Sequence, residues 1–327
     1  MNVKNKLVPL LTLIMSGLIL KAQDPHFSQF YANPVYLNPA FAGASKCPKL
    51  NLNYRNQYPV QGVYETFSAS YDQYVESMGG GLGIVALRDD AGDGAFTTTR
   101  ISAVYSYHLE VSRDFSIQMG MKATFDQREI GFNDFVFPDE LHPFFGGVRE
   151  TAEIPPSETT VNNFDVGVGF LGFSENFFIG VAFDHLIEPD VGFYVADDLP
   201  FKLTAHTGLN IPLGKKRLHD ELQNYLIPNI LFQSQGPFQQ TTVSAAISSA
   251  FLSGGFGYRF NNVNPDAVVI QLGFDPEDYP FRFGYSYDFT VSTFSNNLGG
   301  AHEIAVSYQF PCRTRRHKRE QISCPKF

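Results

Sequence analysis

Beyond residue 22 the chain has no apolar run approaching the roughly 18 residues that a membrane-spanning helix requires, so helices cannot carry it through a bilayer. Only a closed β-barrel could, because lipid offers no partner to an open sheet edge or a bare loop. Tryptophan is absent, and three cysteines, Cys47, Cys312 and Cys324, are too few for a disulfide framework and have no metal-ligand spacing. Cys312 and Cys324 could pair across the tail, leaving Cys47 odd. Positive charge is scarce: 24 Lys and Arg against 33 Asp and Glu give a net charge of -9, which argues against nucleic acid as a partner. No phosphate-cradling glycine motif, zinc signature or nucleophile elbow is present, so the chain reads as non-enzymatic, with no cofactor and no metal.

The chain begins as a secretory signal does. Lys4 and Lys6 precede the apolar run Leu7 to Leu20, and Ala22 is a small residue placed before Gln23, so residues 1–22 are expected to be a signal peptide. Further along, Phe115, Ile117, Met119, Met121, Ala123 and Phe125 are all apolar, while Ser116, Gln118, Gly120, Lys122 and Thr124 stand between them. Strict alternation gives a strand one oily and one polar face, and eleven residues is the length a tilted strand needs to cross the hydrocarbon layer.

The pattern returns in fourteen segments, from 49–57 to 301–310, an even number of the kind bacterial single-chain barrels have. The fold expected is therefore all-β, a closed antiparallel transmembrane barrel over residues 47–310. Link lengths agree: if the first strand rises from the periplasm, the long links Gln127–Val161 and Leu186–Leu199 face outward, and the tight turns at Val111–Arg113 and Ser174–Glu175 face inward. The charged link Gly214–Asn224 is the exception. Both termini then lie in the periplasm. The tail, 311–327, carries Arg313, Arg315, Arg316, Lys318, Arg319 and Lys326 against Glu320, and is expected to be a basic periplasmic extension.

Residues 23–46 cannot be a spanning strand. Asn33-Pro34 and Asn38-Pro39 favour turns, and proline cannot join an inner ladder. A barrel this wide is not filled by strand side chains alone. Asp24, Pro25, Phe27, Phe30, Tyr31, Asn33, Pro34, Asn38 and Pro39 are thus expected at the periplasmic mouth or inside the lumen, as a plug.

Other chemistry is sparse. Asp89, Asp90 and Asp93 crowd one turn, where oxygen-rich loops can hold calcium, but the spacing and closing Glu of an EF-hand loop are missing and Asp-Gly is a common hairpin turn. Asp184-His185 ends a strand and reads as a solvated rim pair rather than a catalytic one. His206 and His302 lie within strands, facing the lumen or an interface. The stretch Glu129 to Glu158 holds seven acids against Arg149 alone. Such a run is ordinarily a solvated face, yet Phe132, Phe135, Phe137, Phe144 and Phe145 sit among the acids. Rings that anchor and charges that steer suit protein recognition, so Asp134, Phe135, Phe137, Asp139, Glu140, Phe144, Phe145, Glu150 and Glu153 are the candidate partner-binding residues.

Two stretches carry a family resemblance: QDPHFSQFYANPVYLNPAFAG at 23–43 and PFRFGYSYDFTVSTFSNNLGGAHEIAVSYQF at 280–310, supported by PFKLTAHTGLNIPL from Pro200 and PNILFQSQGPFQQ from Pro228. Together they resemble the PorP/SprF family of the type IX secretion and gliding apparatus. The resemblance implies an integral outer-membrane barrel that anchors a secreted cell-surface adhesin or its C-terminal domain, or assists its export, beside periplasmic and type IX machinery proteins. The SprF-like branch fits at least as well as the PorP branch. The basic, Cys-containing tail departs from the usual barrel end at a terminal aromatic. On the residues alone, a porin-like channel for small solutes stays open as the alternative.

Overall fold

A computed structural model of the chain describes residues 24–59, 64–132, 135–137, 139–142, 146–147, 150–214, 224–262, 265–276, 279–291 and 299–311. One sheet holds β1 (Lys49–Gln57), β2 (Tyr64–Val75), β3 (Gly80–Ala91), β4 (Phe96–Glu110), β5 (Ser116–Ile130), β6 (Thr160–Phe173) and β7 (Phe177–Asp184). It continues through β8 (Lys202–Leu209), β9 (Asn224–Gln235), β10 (Phe238–Ser249), β11 (Leu252–Asn261), β12 (Pro265–Phe274), β13 (Phe281–Thr290) and β14 (Ala301–Gln309). The sheet's fifteenth segment, Ile211–Leu213, continues β8 past Asn210 and pairs with β9. Each strand is antiparallel to its neighbours in the chain, β8 pairs with β9, and β14 pairs with β1 from Lys49↔Gln309 to Gln57↔Ala301. The result is a closed, fourteen-stranded up-and-down barrel with no free edge.

Alternation decides which side chains face where. In β5, Gln118, Thr124 and Asp126 are buried while Met119 and Met121 stand exposed on the opposite face. The same parity puts Asn51, Asn53 and Arg55 inside and Leu52 outside on β1. Large apolar residues such as Ile84, Ile101, Ile179, Leu272 and Ile304 cover the outer wall, with Phe96, Tyr107, Phe177, Phe251 and Phe281 at strand ends. An exposed apolar band flanked by rings, around a polar interior, is the inverse of a water-soluble barrel and suits lipid outside. Among the described residues no helix is long and apolar enough to cross a membrane.

The two mouths differ. One carries the links 131–159 and 185–201; the other carries the short turns 76–79, 111–115, 174–176 and 250–251. Most of the charged link ahead of β9 lies outside the described residues.

The lumen holds residues 24–47. Short turns at Phe30–Ala32, Pro34–Leu37 and Pro39–Phe41 fold the segment, each of the last two opening with the proline of an Asn-Pro step. Proline suits that place because its fixed φ is already helical and the first N–H of a turn has no partner to lose. Asn38 adds a cap, its side chain accepting from Ala40 N at 2.9 Å. Phe30, Tyr31, Leu37 and Phe41 form the core with Leu171, Phe173, Phe178 and Leu231 of the wall, and Val35 and Ala42 pack on Val85 and Val104. The segment presses on the wall so closely that Gly81 and Gly120 leave no room for a Cβ: one would meet the backbone of Ala42, the other that of Pro39 and Ala40.

The structure makes two changes to this picture. Asp24 lies beside Lys202 and Gln235, at the long-link ends of β8 and β9, whereas Gly43 lies beside Asp72, near the short-turn end of β2. The segment therefore runs the length of the lumen, and the described chain begins in the half nearer the long links and ends, at Cys312's neighbour Pro311, by the short turns. The second change concerns the odd cysteine: Cys47 is fully buried and disulfide-bonded. It is not left over by a Cys312–Cys324 pair, both of which lie outside the described residues; its place at the end of the lumen segment brings it to the short-turn mouth where β14 finishes.

Candidate functional site

Two charge clusters hold the lumen segment to the wall. In the first, Asp24 takes Arg100 Nη1 on Oδ1 at 2.7 Å and Lys202 Nζ on Oδ2 at 3.1 Å, with His185 Nε2 at 2.8 Å from Oδ2. Its backbone N–H donates to Gln235 Oε1 at 3.0 Å. Behind this, His185 Nδ1 lies 2.8 Å from Asp165, Arg100 Nε donates to Asp126 at 2.6 Å, and Lys122 pairs with Asp184 at 2.8 Å. Burial by itself would raise the Asp24 carboxyl; Arg100, Lys202 and His185 outweigh it and hold the group well below the usual carboxylate range. Burial would lower His185, but Asp24 and Asp165 raise it above its ordinary value.

The second cluster grips the backbone. Glu303 accepts from Ser28 N at 2.8 Å and Gln29 N at 2.9 Å. Arg55 bridges Glu303 and Asp288, and Arg259 reaches Ser28 Oγ at 2.8 Å and Asp288 at 3.0 Å while also pairing with Asp266. Each charge here has an opposite partner, two guanidinium groups serving three carboxylates, as burial in a low-dielectric interior demands.

The nine lumen residues picked from sequence are brought together. Besides Asp24, the Pro25 carbonyl accepts from Tyr36 OH at 2.7 Å and Phe27 meets the Tyr36 ring edge-on. Phe30, Pro34 and Pro39 are buried, and Tyr31 OH donates to Gln271 at 3.0 Å. Asn33 donates to Ser68 at 2.8 Å, and Asn38 donates to Phe170 O at 3.1 Å beside His206 Nε2, itself stacked on Phe41. Sequence reasoning missed the wall's half of the site: Arg55, Arg100, Asp126, Lys202, Asp288 and Glu303. The signal was available, since each is a charge at a lumen-facing parity within a strand.

Asp184 and His185 are corrected. They are buried and ion-paired, not a solvated rim pair, because Asp184 is on the lumen-facing parity of β7 and His185, at φ 58°, turns back over Asp24. His302 faces the other way, with its Nδ1 at 2.9 Å from Tyr285 OH. Asp89 and Asp90, as successive strand residues, face opposite sides: Asp89 accepts from Thr66, Asp90 from Thr97 and Arg88. Among the described residues no group of three metal-ligating side chains converges.

The long-link mouth encloses a vestibule of about 560 Å³ above Asp24, walled by Arg55, Tyr64, Arg128 and Phe193. Around it, Phe135 packs on Phe96 of the rim at 5.5 Å between centroids and on Phe137 at 6.1 Å, and Phe132 packs on Phe137 at 4.9 Å. These rings lean on one another and on the wall, so they are not bare. Asp139 accepts from Ala152 N at 2.6 Å and Thr151 Oγ1 at 3.0 Å, and Glu140 accepts from Phe137 N at 3.1 Å; Glu150 and Glu153 are exposed. Asp134, Phe144 and Phe145 lie outside the described residues.

A closed barrel with an apolar outer band and an occupied polar lumen defines an integral outer-membrane protein. Residues 19–308 match the family model for the type IX secretion system membrane protein PorP/SprF, and the chain belongs to that family. Solved structures with a similar fold include the outer-membrane protein Omp33 of Acinetobacter baumannii, at 9% identity and a TM-score of 0.43, covering 82% of this chain and 100% of that one. The toluene transporter TodX of Pseudomonas putida is similar at 9% identity and a TM-score of 0.44, covering 88% and 95%. The monoaromatic hydrocarbon channel CymD is similar at 12% identity and a TM-score of 0.46, covering 85% and 93%. No match was found among curated proteins.

Proposed function

We propose that this barrel is a non-enzymatic anchor or export aid for a secreted type IX adhesin, in the manner of the SprF-like branch and in the service of gliding. The observation that carries the reading is the filled lumen: residues 24–47 occupy it and are fixed by matched buried charges, an arrangement that serves a platform and disfavours a small-solute channel. The family supplies the partner class. On this reading the long links face the cell surface, the barrel's tail meets the periplasm, and the 131–159 link with Asp134, Phe135, Phe137, Asp139, Glu140, Phe144, Phe145, Glu150 and Glu153 is part of the contact face. The stacked Phe rings then serve to hold that link upright on the rim.

The test is surface retention. Cells lacking the barrel should release the adhesin into the medium or keep it inside, and restoring the wild-type chain should return it to the surface. Retention at wild-type level without the barrel would sink the reading.

A further inference from the structure

The two long links touch. Tyr194 OH of the 185–201 link donates to Ile154 O of the 131–159 link at 3.4 Å. Each link carries internal bonds among its described residues. Asp139 ties across to Thr151 and Ala152, and Leu141–His142 pairs with Gly146–Gly147. In the other, Asp190 accepts from Gly192 N at 3.0 Å and Asp197 N at 2.9 Å, its own carbonyl accepts from Asn163 at 2.8 Å, and Asp190 bridges to Asp198. At this junction apolar side chains stand exposed: Ile154 is 81% exposed, Val195 76% and Tyr194 62%.

The surround has one sign. Residues 131–159 carry six Asp and Glu and residues 185–201 carry four, against Arg149 and no lysine. We infer that the exposed group of Ile154, Tyr194 and Val195, joined across the two links, is the docking surface for a segment of the secreted partner in which apolar side chains are flanked by Lys or Arg. Apolar anchors seated among fixed carboxylates give affinity at the centre and sign selectivity at the edge. Gln309, the last strand residue, ends at the opposite mouth. The inference rests on the anchoring function proposed above and names the anchors that it uses.

The probe is a labelled heptapeptide with an Ile-Leu-Phe centre and two Lys at each end, titrated by anisotropy onto the purified full-length barrel in detergent. Companions have Glu in place of Lys, or Ser in place of the apolar centre. The basic apolar peptide should bind, and neither companion should. I154S with V195S should weaken binding about tenfold or more, while E150Q, E153Q and E158Q together should weaken it less at high salt than at low salt. Unchanged heat-modifiability shows that both variants remain folded barrels. Equal binding of the Glu-flanked peptide, or a double variant within about twofold of wild type, overturns the inference. In cells the two claims separate: an adhesin lost without the barrel but fully kept by I154S/V195S overturns the docking surface alone, and one kept without the barrel overturns the anchoring function.

Discussion

Asp24 answers three cations from three different places on the wall, so its removal leaves charge buried without a counterpart. Breaking such a pair from one side costs about 3–5 kcal/mol, far more than the pair's net worth against an apolar replacement. Asp24→Asn should therefore loosen the lumen segment while the strands hold, read as raised and flickering conductance in planar bilayers with an unchanged far-UV spectrum. His185 adds a dependence on pH. Its folded value is raised above the ordinary 6.5, so its contribution is fully present below that unfolded value and is lost as pH climbs through the folded one. The heat resistance of wild type should exceed that of His185→Gln most at mildly acidic pH, and the two should converge in alkali; a constant gap would assign His185 a packing role instead. At this scale the sequence showed only half of the site. Asn-Pro steps and buried aromatics announce the lumen segment, and parity announces which strand charges face it, but which charge meets which depends on a path through the lumen that no local pattern encodes.

Elements were the most legible level. Fourteen segments of alternation became fourteen strands, since a wall with lipid on one side and polar groups on the other forces a two-residue period over its whole height. The boundaries moved by a few residues, as at β5, which extends to Ile130 because Glu129 and Arg128 still pair with Thr160 and Val161 beyond the lipid layer. The lumen segment has no such period, and its fold is legible only by exclusion from the sheet. Its docking can be tested by deletion: loss of residues 24–40 should open conductance and lower the barrel's heat resistance. Gly120→Val is a gentler probe, placing methyl groups where the Pro39 and Ala40 backbone now lies; it should reproduce the opening without removing a single partner. Closed channels in both variants would mean that something other than residues 24–47 seals the lumen.

For the molecule as a whole, the asymmetry of the mouths carries the orientation. With the long links at the cell surface, a cysteine placed at residue 153 should react with an impermeant maleimide on intact cells, and one placed at residue 175 should react only after the outer membrane is opened. The reverse pattern would turn the barrel over. Sequence length patterns foresaw the two kinds of mouth, while the lengthwise course of the lumen segment went unseen, because nothing in a strand count says from which side a leading segment enters.

One joint in the wall is unlike the others. Thirteen strand pairs join neighbours in sequence, but β1 and β14 meet after the whole chain has gone round, so this seam alone joins strands that are not consecutive in the chain. Cys47 stands two residues before β1, and both other cysteines follow β14. A covalent bond from Cys47 to either turns the barrel into a hoop with a clasp, fastened where an unzipping wall would part first. Closing a loop this long restricts the open chain by roughly 5 kcal/mol on the chain-entropy estimate. Cys47→Ser, or reductant acting on the wild type, should thus lower the temperature at which the barrel opens in detergent and leave the thirteen joints between consecutive strands to melt as before.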